Sequence, residues 1–557
     1  MPNTRLPVTP RSAWFLAFSA VFASLAAYVF WGAWSPGVTP VMPDCLTVHP
    51  VGYFAALSQY FSDACLKNWQ FIPDDLLLFF GTPYFRQELQ FACAAYFAAL
   101  GLVYYCRGRG LCRQASYSAA ILLAFSGYWF SLYSAGHLGW FRLMTYCVFA
   151  FGLADRAVRK GKAKNALLLG AVLAWGCRHQ QDLWMIFAIF AGAYFLWCCV
   201  RERKLPWKTL ALAALAFAAI GAANVRTAFT DALASREKQL EESKGTGLSG
   251  GEGKSDEEAK WIFVTNWSMP PEDTLEFFIP RIHGDTSCPL TLSIGTRRKS
   301  GVTPYTGRLG RPIDAPSGNY RQHSLYVGFV TCALALAALV MFFLSVAAKK
   351  KCGDFADGKD FSRVYADLPF FACAVLVFWL LSLGRFCEPV YRIVFHVPFL
   401  DSLRAPVKWH HATEFAIVVL AAYGIDLLLA RFAARMRFAR SALLAVVLVG
   451  ACDLARVNHL YLAPVDLTEV KRRNSEMQLT ILPRQQFSTP QGAAMLRSKT
   501  LIPLATFPGR DDMIVAEYLT PRKPPAPVPT PPAPVCALGI LSLLGTIAVG
   551  AYAIKKA

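Results

Sequence analysis

The densest group of side chains able to do chemistry in this sequence lies in residues 401–411, directly before a long apolar run. It holds two strong cations, Arg404 and Lys408, and two histidines, His410 and His411. Charged groups at the mouth of a membrane helix cost free energy unless a ligand or a partner compensates them. This segment is therefore a candidate binding site for an anion.

The position of Pro406 indicates where the following helix begins. The residue before a proline avoids helical backbone angles, and proline is favoured in a first helical turn. Arg404 would then precede the helix, and Lys408 would lie in its first turn. Two cations at a helix N-terminus favour the phosphate or pyrophosphate of a lipid head group. The alternative is that both side chains simply extend to ordinary phospholipid heads.

Asp44 is the candidate for acid–base chemistry. It follows the first apolar run, in Pro43-Asp44-Cys45. A carboxylate there could take a proton from an acceptor hydroxyl or hold a divalent cation, whereas the alternative is an aspartate in a turn. Cys45 and Cys65 lie in the same segment and could form a disulfide in an oxidising compartment. The sequence shows no Cys/His metal-ligand spacing, so no metal ligands are assigned.

Two histidines lie where apolar runs meet polar connections. His137 comes between the third and fourth runs, and His179 follows the fifth run. Ionisable groups at that depth are candidates for binding a substrate. The alternative is that they are ordinary loop residues at the membrane surface. Arg178 and Asp182 flank His179 and could pair with each other across the hairpin.

A second candidate group lies in the long loop that follows the seventh apolar run. A helix start is indicated at Ser268 or at Pro270, and residues 275–280 are apolar enough to lie on a membrane. Arg281 and His283 would then hang from the end of this helix, over the site. The alternative is a docked surface helix with no catalytic part.

The elements that must position these residues are apolar helices. The chain of 557 residues is 55% hydrophobic and only 17% charged, which is too apolar for a soluble protein of this length. Runs long enough to span a bilayer recur, which predicts an all-α polytopic membrane protein with about twelve transmembrane helices. The predicted runs are 13–34, 88–106, 116–134, one ending near 153, 166–176, 183–200, 209–225, 325–348, 368–383, one starting near 413, 442–455 and 536–554.

The charges of the chain follow its predicted topology. Every second connection is rich in Lys and Arg, which places those connections and both termini in the cytoplasm. The net charge of +20 is thereby explained without a nucleic-acid partner. The connections that lie outside the cytoplasm are then large. The polar candidate residues in them are expected to act on a substrate at the outer face of the membrane.

The chain is predicted to contain four parts. Residues 1–459 form the multi-span domain, with outer loops at 35–87 and 226–323. Residues 460–520 form a small mixed α/β segment outside the cytoplasm, and 521–535 form a stiff Pro-rich linker. Residues 536–557 form a C-terminal transmembrane helix.

Several short motifs in this order resemble those of the YfhO-like bacterial membrane proteins. They are Asp44, 177–181, 267–272, 277–280, 283–284, 305–307, 391–400, 403–408 and 423–424. That family is placed with the GT-C-type glycosyltransferases, many-helix enzymes that use polyprenyl-phosphate sugar donors. The resemblance implies a GT-C-like architecture in the bacterial cytoplasmic (inner) membrane, with an acidic residue of the first outer loop as base or metal ligand.

The function implied is transfer of a sugar from a polyprenyl-phosphate carrier to an envelope glycan or glycolipid at the outer face. Asp44 would be catalytic. Arg404, Lys408, His410, Arg281, His137 and His179 would bind substrate. The cofactor is unknown, and a divalent cation is compatible with Asp44. Two alternatives stay open: a flippase or transporter of lipid-linked sugars, and a non-catalytic membrane protein of envelope assembly.

Overall fold

The computed structural model describes residues 11–31, 38–40, 86–135, 138–177, 179, 181–221, 256–284, 308, 324–347, 364–432, 438–462, 464–466 and 533–555. Within these ranges the chain is almost entirely helical. The helices are α1 (Arg11–Val29), α2 (Arg86–Arg109), α3 (Arg113–Ala124), α4 (Gly127–Ala135), α5 (Leu138–Lys160), α6 (Ala163–Cys177), α7 (Gln181–Arg201), α8 (Trp207–Gly221), α9 (Asp256–Val264), α10 (Phe329–Ala347), α11 (Leu368–Ser382), α12 (Glu388–Phe395), α13 (His410–Phe432), α14 (Ala439–Tyr461) and α15 (Ala533–Lys555).

Short 3-10 helices and one small sheet complete the described structure. The 3-10 helices are Pro271–Phe277, Gly384–Cys387, Leu400–Ser402 and Pro406–Trp409. The sheet pairs β1 (Val38–Pro40) with β2 (Pro464–Asp466) in antiparallel register, with Val38 opposite Asp466.

Among the described residues, five helices are long and apolar enough to cross a membrane: α1, α2, α7, α14, and α13 together with its preceding 3-10 turn. Two bent pairs raise the number to seven if each is one span. The bend is 43° between α3 and α4, and 112° between α11 and the piece formed by the 3-10 helix after it and α12. The architecture is that of an all-α membrane protein.

The expected count of twelve spans exceeds what length and composition support. In the described residues, helices α6 and α8 and the apolar parts of α10 (Phe329–Ser345) and α15 (Leu541–Ala553) are too short for that test. A helix rises 1.5 Å per residue, so the 15 residues of α6 reach only about 22 Å against an apolar core of about 30 Å. Helix α5 is long, but it carries Arg142, Asp155, Arg156 and Arg159.

The expected α/β segment at 460–520 is likewise not supported. The described part of that range consists of the end of α14, the turn after it and the three-residue strand β2. Helix α14 continues six residues past the expected end of its apolar run, to Tyr461. Residues 467–532 lie outside the described residues. Helix α15 starts at Ala533, within the range expected to be the Pro-rich linker.

Helix α13 lies at the centre of the bundle. It is buried at every position from His410 to Leu427, and it packs against α10, α11 and α3. Gly424 allows the closest approach, because a Cβ there would lie 2.0 Å from the carbonyl oxygen of Leu334 in α10. Small residues at a helix crossing let two backbones meet in this way. The segment that leads into α13 is therefore fixed to the core of the protein.

The two ends of the bundle carry different polar groups. Helices α2, α5 and α7 end, and α11 begins, at one end, where Arg109, Asp155, Arg201 and Asp367 meet. We call this the Arg201 end. Helix α7 begins at the opposite end, beside Lys408. We call this the Lys408 end, and it holds most of the candidate residues that the structure describes.

Candidate functional site

Two segments far apart in the sequence interlock at the Lys408 end. Residues 256–284, which we call the docked segment, run beside the chain that leads into α13. The Ala405 N–H donates to the Val264 carbonyl at 3.1 Å, and the Val407 N–H donates to the Trp267 carbonyl at 3.1 Å. The expected helix start near Pro270 is present, as a 3-10 helix rather than an α-helix. The docked segment thus forms one wall of the candidate site.

A glycine turn after α11 makes this docking possible. Gly384 has a φ of +51°, and a Cβ on it would lie 2.1 Å from the Ser268 Oγ. That same hydroxyl accepts the backbone N–H of Arg385 at 3.0 Å and donates to the carbonyl of Thr265 at 2.6 Å. Only glycine fits both the conformation and the space. The short turn therefore links α11 to the docked segment.

Arg404 is positioned by aromatic rings of the docked segment. Its guanidinium carbon lies 4.4 Å from the ring centre of Phe263 and 4.6 Å from that of Trp267. Cation–π contacts of this kind favour a guanidinium over an aromatic face. The next residue, Ala405, has a left-handed φ of +65° and turns the chain into the 3-10 helix that begins at Pro406. Arg404 therefore precedes the helix, as its sequence position predicted.

Lys408 forms an ion pair with Asp182, in the first turn of α7. Both side chains are partly exposed, at 14% for Lys408 and 23% for Asp182. The Asp182 carboxylate also accepts the N–H of Leu183 at 2.7 Å. Pairing of Asp182 with Arg178 was the expected alternative, and Arg178 lies outside the described residues. Because Lys408 has a carboxylate partner, an incoming anion must share this cation or displace Asp182.

The two histidines of the segment are buried. The ring of His410 stacks on Phe277 at 4.2 Å between centres, and the ring of His411 stacks on Tyr128 at 4.0 Å. Neither histidine has any exposed surface. His410 was expected to bind substrate, but the structure places it in the core at the start of α13, where it joins the docked segment to α4. The stacking of the His410 ring on Phe277 indicates a structural role for this histidine.

Glu414 is the polar residue of this region that sequence reasoning missed. Its Oε1 accepts the backbone N–H groups of Tyr128, at 3.0 Å, and Trp129, at 3.4 Å. These donors lie at the start of α4, where the bend from α3 frees backbone groups that need an acceptor. The Oε2 lies 3.9 Å from the His411 Nδ1. A single acidic residue in the long apolar run from 412 to 422 was the signal in the sequence.

The other predicted residues are spread around this end or lie outside the described residues. His179 is half-buried, and its ring stacks on Tyr146 at 5.8 Å. Arg281 lies at the end of the docked segment with a positive φ of 63°. His283 has its Nε2 3.8 Å from the Asp273 Oδ1. Four more lie outside the described residues: Asp44, His137, Cys45 and Cys65.

The chemistry of an anion site is therefore concentrated on a few groups. Arg404 lies just before the 3-10 turn that leads into α13, Lys408 lies within that turn, and Asp182 is the acid beside Lys408. In the part of the chain that the structure describes, no group of three or more His, Cys, Asp or Glu side chains could hold a metal ion. The described residues thus provide cations for an anion, and not a ready ligand set for a divalent cation.

A second charged cluster occupies the Arg201 end. The Arg109 Nη1 lies 3.2 Å from the Asp155 Oδ1, and the Arg109 Nε lies 2.9 Å from the Asp367 Oδ2. The Arg201 Nη2 lies 2.7 Å from the Asp155 Oδ1, and Arg201 also pairs with Asp367. Two arginines and two aspartates from four helices thus compensate one another within the bundle.

Neutral hydrogen-bond donors complete the cluster around Asp367. The hydroxyl of Tyr105 donates to Asp367 at 3.0 Å, that of Tyr194 donates at 2.8 Å, and the indole N–H of Trp197 donates at 3.1 Å. Buried charges that are paired and hydrogen-bonded in this way avoid most of the cost of desolvation. The cluster therefore joins helices, and no candidate site residue belongs to it.

No protein-family model, curated protein or solved structure matches this chain. The resemblance to the YfhO-like proteins therefore stays a prediction from short motifs. Function has to be argued from the geometry of the site, because a helical membrane fold hosts many activities.

Proposed function

We propose that the chain is a membrane glycosyltransferase of the GT-C type. It moves a sugar from a polyprenyl-phosphate carrier to an acceptor of the cell envelope, at the outer face of the bacterial cytoplasmic membrane. In this proposal the Lys408 end faces outward and both termini are cytoplasmic. In this proposal each bent pair is one span, and α5, α6, α8, α10 and α15 also cross the membrane, which gives twelve spans. The observation that carries the proposal is the pair of cations at the start of α13, with Arg404 just before the 3-10 turn and Lys408 within it.

The geometry of both cations is compatible with a phosphate ligand. The guanidinium carbon of Arg404 lies over the rings of Phe263 and Trp267. Phosphate oxygens are bound by the N–H groups of a guanidinium, which a cation–π contact does not use as hydrogen-bond donors. Lys408 is a point charge that can exchange the Asp182 carboxylate for a phosphate oxygen. The sugar-loaded donor is a phosphodiester with one negative charge, as a carboxylate has, but the polyprenyl phosphate that leaves is a monoester with more negative charge. The exchange is therefore favoured most as the sugar leaves.

The reaction needs charge stabilisation and a base. As the bond between the sugar and the carrier phosphate breaks, negative charge develops on the phosphate, and Arg404 and Lys408 stabilise it. Asp44 takes the proton of the acceptor hydroxyl as that oxygen bonds to the sugar. His137, His179 and Arg281 orient the donor or the acceptor. These roles are assigned from the resemblance to the YfhO-like proteins and from the predicted location of all these residues on the outer side of the membrane.

Binding of the carrier phosphate tests the anion site. Purified protein in lipid nanodiscs is titrated with a fluorescent polyprenyl phosphate. We expect Arg404→Ala and Lys408→Ala each to weaken binding about tenfold, or about 1.4 kcal/mol. The matched control is Arg392→Ala, which removes an exposed cation of the same end that pairs with Glu388. Equal affinity in all four proteins would leave only contact with ordinary phospholipid heads.

The base is tested separately by Asp44→Asn. We expect a loss of about 100-fold or more in the rate of sugar transfer, with carrier binding unchanged, because general-base catalysis contributes about that much. Undiminished transfer by Asp44→Asn removes Asp44 as the base. That result would leave the anion site intact, so the two parts of the proposal stand or fall independently.

A second candidate, a flippase or transporter of lipid-linked sugars, is favoured by a different observation. Transporters use broken helices and buried ionisable residues. The described residues include two bent helix pairs, and Glu414 lies buried at the bend between α3 and α4. Reconstitution in liposomes separates the candidates: a flippase moves a fluorescent lipid-linked sugar across the bilayer without an acceptor, whereas a transferase needs the acceptor and forms a product.

A further inference from the structure

The docked segment exposes a row of large apolar side chains. Leu275, Phe278, Ile279 and Ile282 are each exposed by at least 41%. They follow one another along the 3-10 helix Pro271–Phe277 and the turns after it. Apolar side chains grouped on one surface in this way mark a site that something apolar covers.

The docked segment lies against the ends of two apolar helices. The indole N–H of Trp379, in the last turn of α11, donates to the Thr274 Oγ1 at 3.0 Å. The N–H of Gly328, just before α10, donates to the Phe277 carbonyl at 3.2 Å. The segment is thus held at the depth of the last turn of α11 and the first turn of α10.

A second row of exposed apolar side chains follows the sharp bend after α11. The 112° bend directs α12 across the axis of α11, roughly along a membrane surface. Tyr391 of α12 faces inward and packs on Trp261 at 6.1 Å. Ile393, Val397 and Phe399 are exposed on the other side of the chain. Helix α12 is therefore amphipathic and lies flat, as interfacial helices do.

The two helices that hold the docked segment also expose apolar side chains. Leu376 and Val377 are exposed on α11, and Leu336 and Val340 are exposed on α10. If those helices lie in a membrane, these side chains face acyl chains, and the two rows lie beside the ends of the same helices. Charged pairs lie nearby, with Arg392 bound to Glu388 and Arg308 bound to Glu272, each at the depth where head groups would be.

We infer that the exposed apolar side chains of these two rows together form a membrane platform that inserts into the acyl chains of the leaflet at the Lys408 end. Its ligand is bulk phospholipid. The platform fixes the docked segment, and hence the rings that stack on Arg404, at the level of the lipid head groups. This inference does not depend on the proposed transferase activity.

Nitroxide accessibility tests the platform in the full chain in lipid nanodiscs. A keto amino acid at Phe278 or at Ile393 carries the nitroxide, so that the native cysteines stay unlabelled. Leu376 serves as the lipid-facing reference, and Lys162, exposed in the turn between α5 and α6, serves as the water-facing reference. Collision rates are measured with oxygen, which concentrates in acyl chains, and with a nickel chelate, which stays in water.

We expect Phe278 and Ile393 to match Leu376, with a several-fold higher ratio of oxygen to nickel collisions than at Lys162. A ratio equal to that of Lys162 would overturn the platform. Low collision rates with both reagents would also overturn it, because they would mean that another protein surface covers these residues. The labelled side chains are exposed, so their replacement leaves the core packing intact.

Discussion

The two ends of the bundle use the same residue types in opposite ways. At the Arg201 end, Asp155 and Asp367 are at most 1% exposed, and each contacts both Arg109 and Arg201, of which Arg201 is 11% exposed. At the Lys408 end, the ion pair of Lys408 is partly exposed. A charge that is fully compensated inside the protein can only hold helices together. A charge that keeps a path to the surface can still exchange its partner for a ligand.

Energetics sharpens this contrast. Removal of one partner from a buried ion pair leaves an uncompensated charge, at a cost of about 3–5 kcal/mol. A partly exposed pair contributes only about 0–1 kcal/mol to stability. Changes at the Arg201 end should therefore act on stability, and changes at the Lys408 end should act on binding.

The largest effect is expected from Asp367→Ala. This change removes the acceptor of two arginines and three neutral donors. We expect a loss of about 3–5 kcal/mol in the free energy of unfolding, measured by denaturation in mixed micelles. The control is Glu388→Ala, which removes an exposed carboxylate paired with Arg392. Equal stability of Asp367→Ala and this control would mean that the buried cluster does not stabilise the packing of the helices.

A smaller effect is expected from Gly384→Ala, at the turn that links α11 to the docked segment. The added Cβ meets the Ser268 hydroxyl, and the backbone has a positive φ. Strain of this kind costs about 1–3 kcal/mol. Faster proteolysis within 256–284 would reveal the release of that segment. The control is Gly192→Ala in α7, where a Cβ meets nothing within 4 Å. Equal rates of proteolysis in both variants would show that the turn at Gly384 does not hold the docked segment in place.

Asp182→Asn should change binding with little change in stability. It keeps the shape of the side chain but removes the negative charge that competes for Lys408. We expect tighter binding of polyprenyl phosphate, by about two- to tenfold, with a stability change of about 1 kcal/mol or less. Weaker binding in this variant would mean that Asp182 positions Lys408 for the ligand and does not compete with it.

The smallest effect concerns Glu272 and Arg308. Hydrogen bonds from the Arg308 guanidinium lower the pKa of Glu272 below its ordinary value of 4.5. The stabilisation is present at neutral pH and is lost as the pH falls through the lowered pKa. Both groups are exposed by more than a third, so its size is small. The melting temperatures of the wild type and Arg308→Ala should therefore differ slightly at pH 7 and converge well below pH 4.5; a constant difference would contradict the pairing.

Local rules explain what the sequence predicted about the site. Pro406 fixed the start of the helix, and so the positions of Arg404 and Lys408, because proline restricts its own backbone and that of its neighbour. The partner of Lys408 lies 226 positions away in the chain. Such a pairing depends on how helices pack, and one sequence does not contain that information.

The Arg201 end shows the same limit more clearly. Arg109 and Arg201 belong to the Lys- and Arg-rich connections that the positive-inside rule places in the cytoplasm. Their partners, Asp155 and Asp367, lie on two other helices, and no local pattern joins the four. Each predicted apolar run overlaps one or two helices of the described residues. The predicted twelve spans exceed the five to seven that the described helices support. The sequence already contained the reasons, since the run 166–176 is short and α5 carries charges.

The pairing of α1 with α14 has a consequence for biosynthesis. The His459 Nδ1 lies 2.9 Å from the Val29 carbonyl oxygen, and these residues are 430 positions apart. At about 5–20 residues per second, a ribosome needs on the order of 20–90 s to make that stretch. The first helix therefore enters the membrane long before its partner is made. During that interval the insertion machinery or lipid must shield the side of α1 that later faces α14.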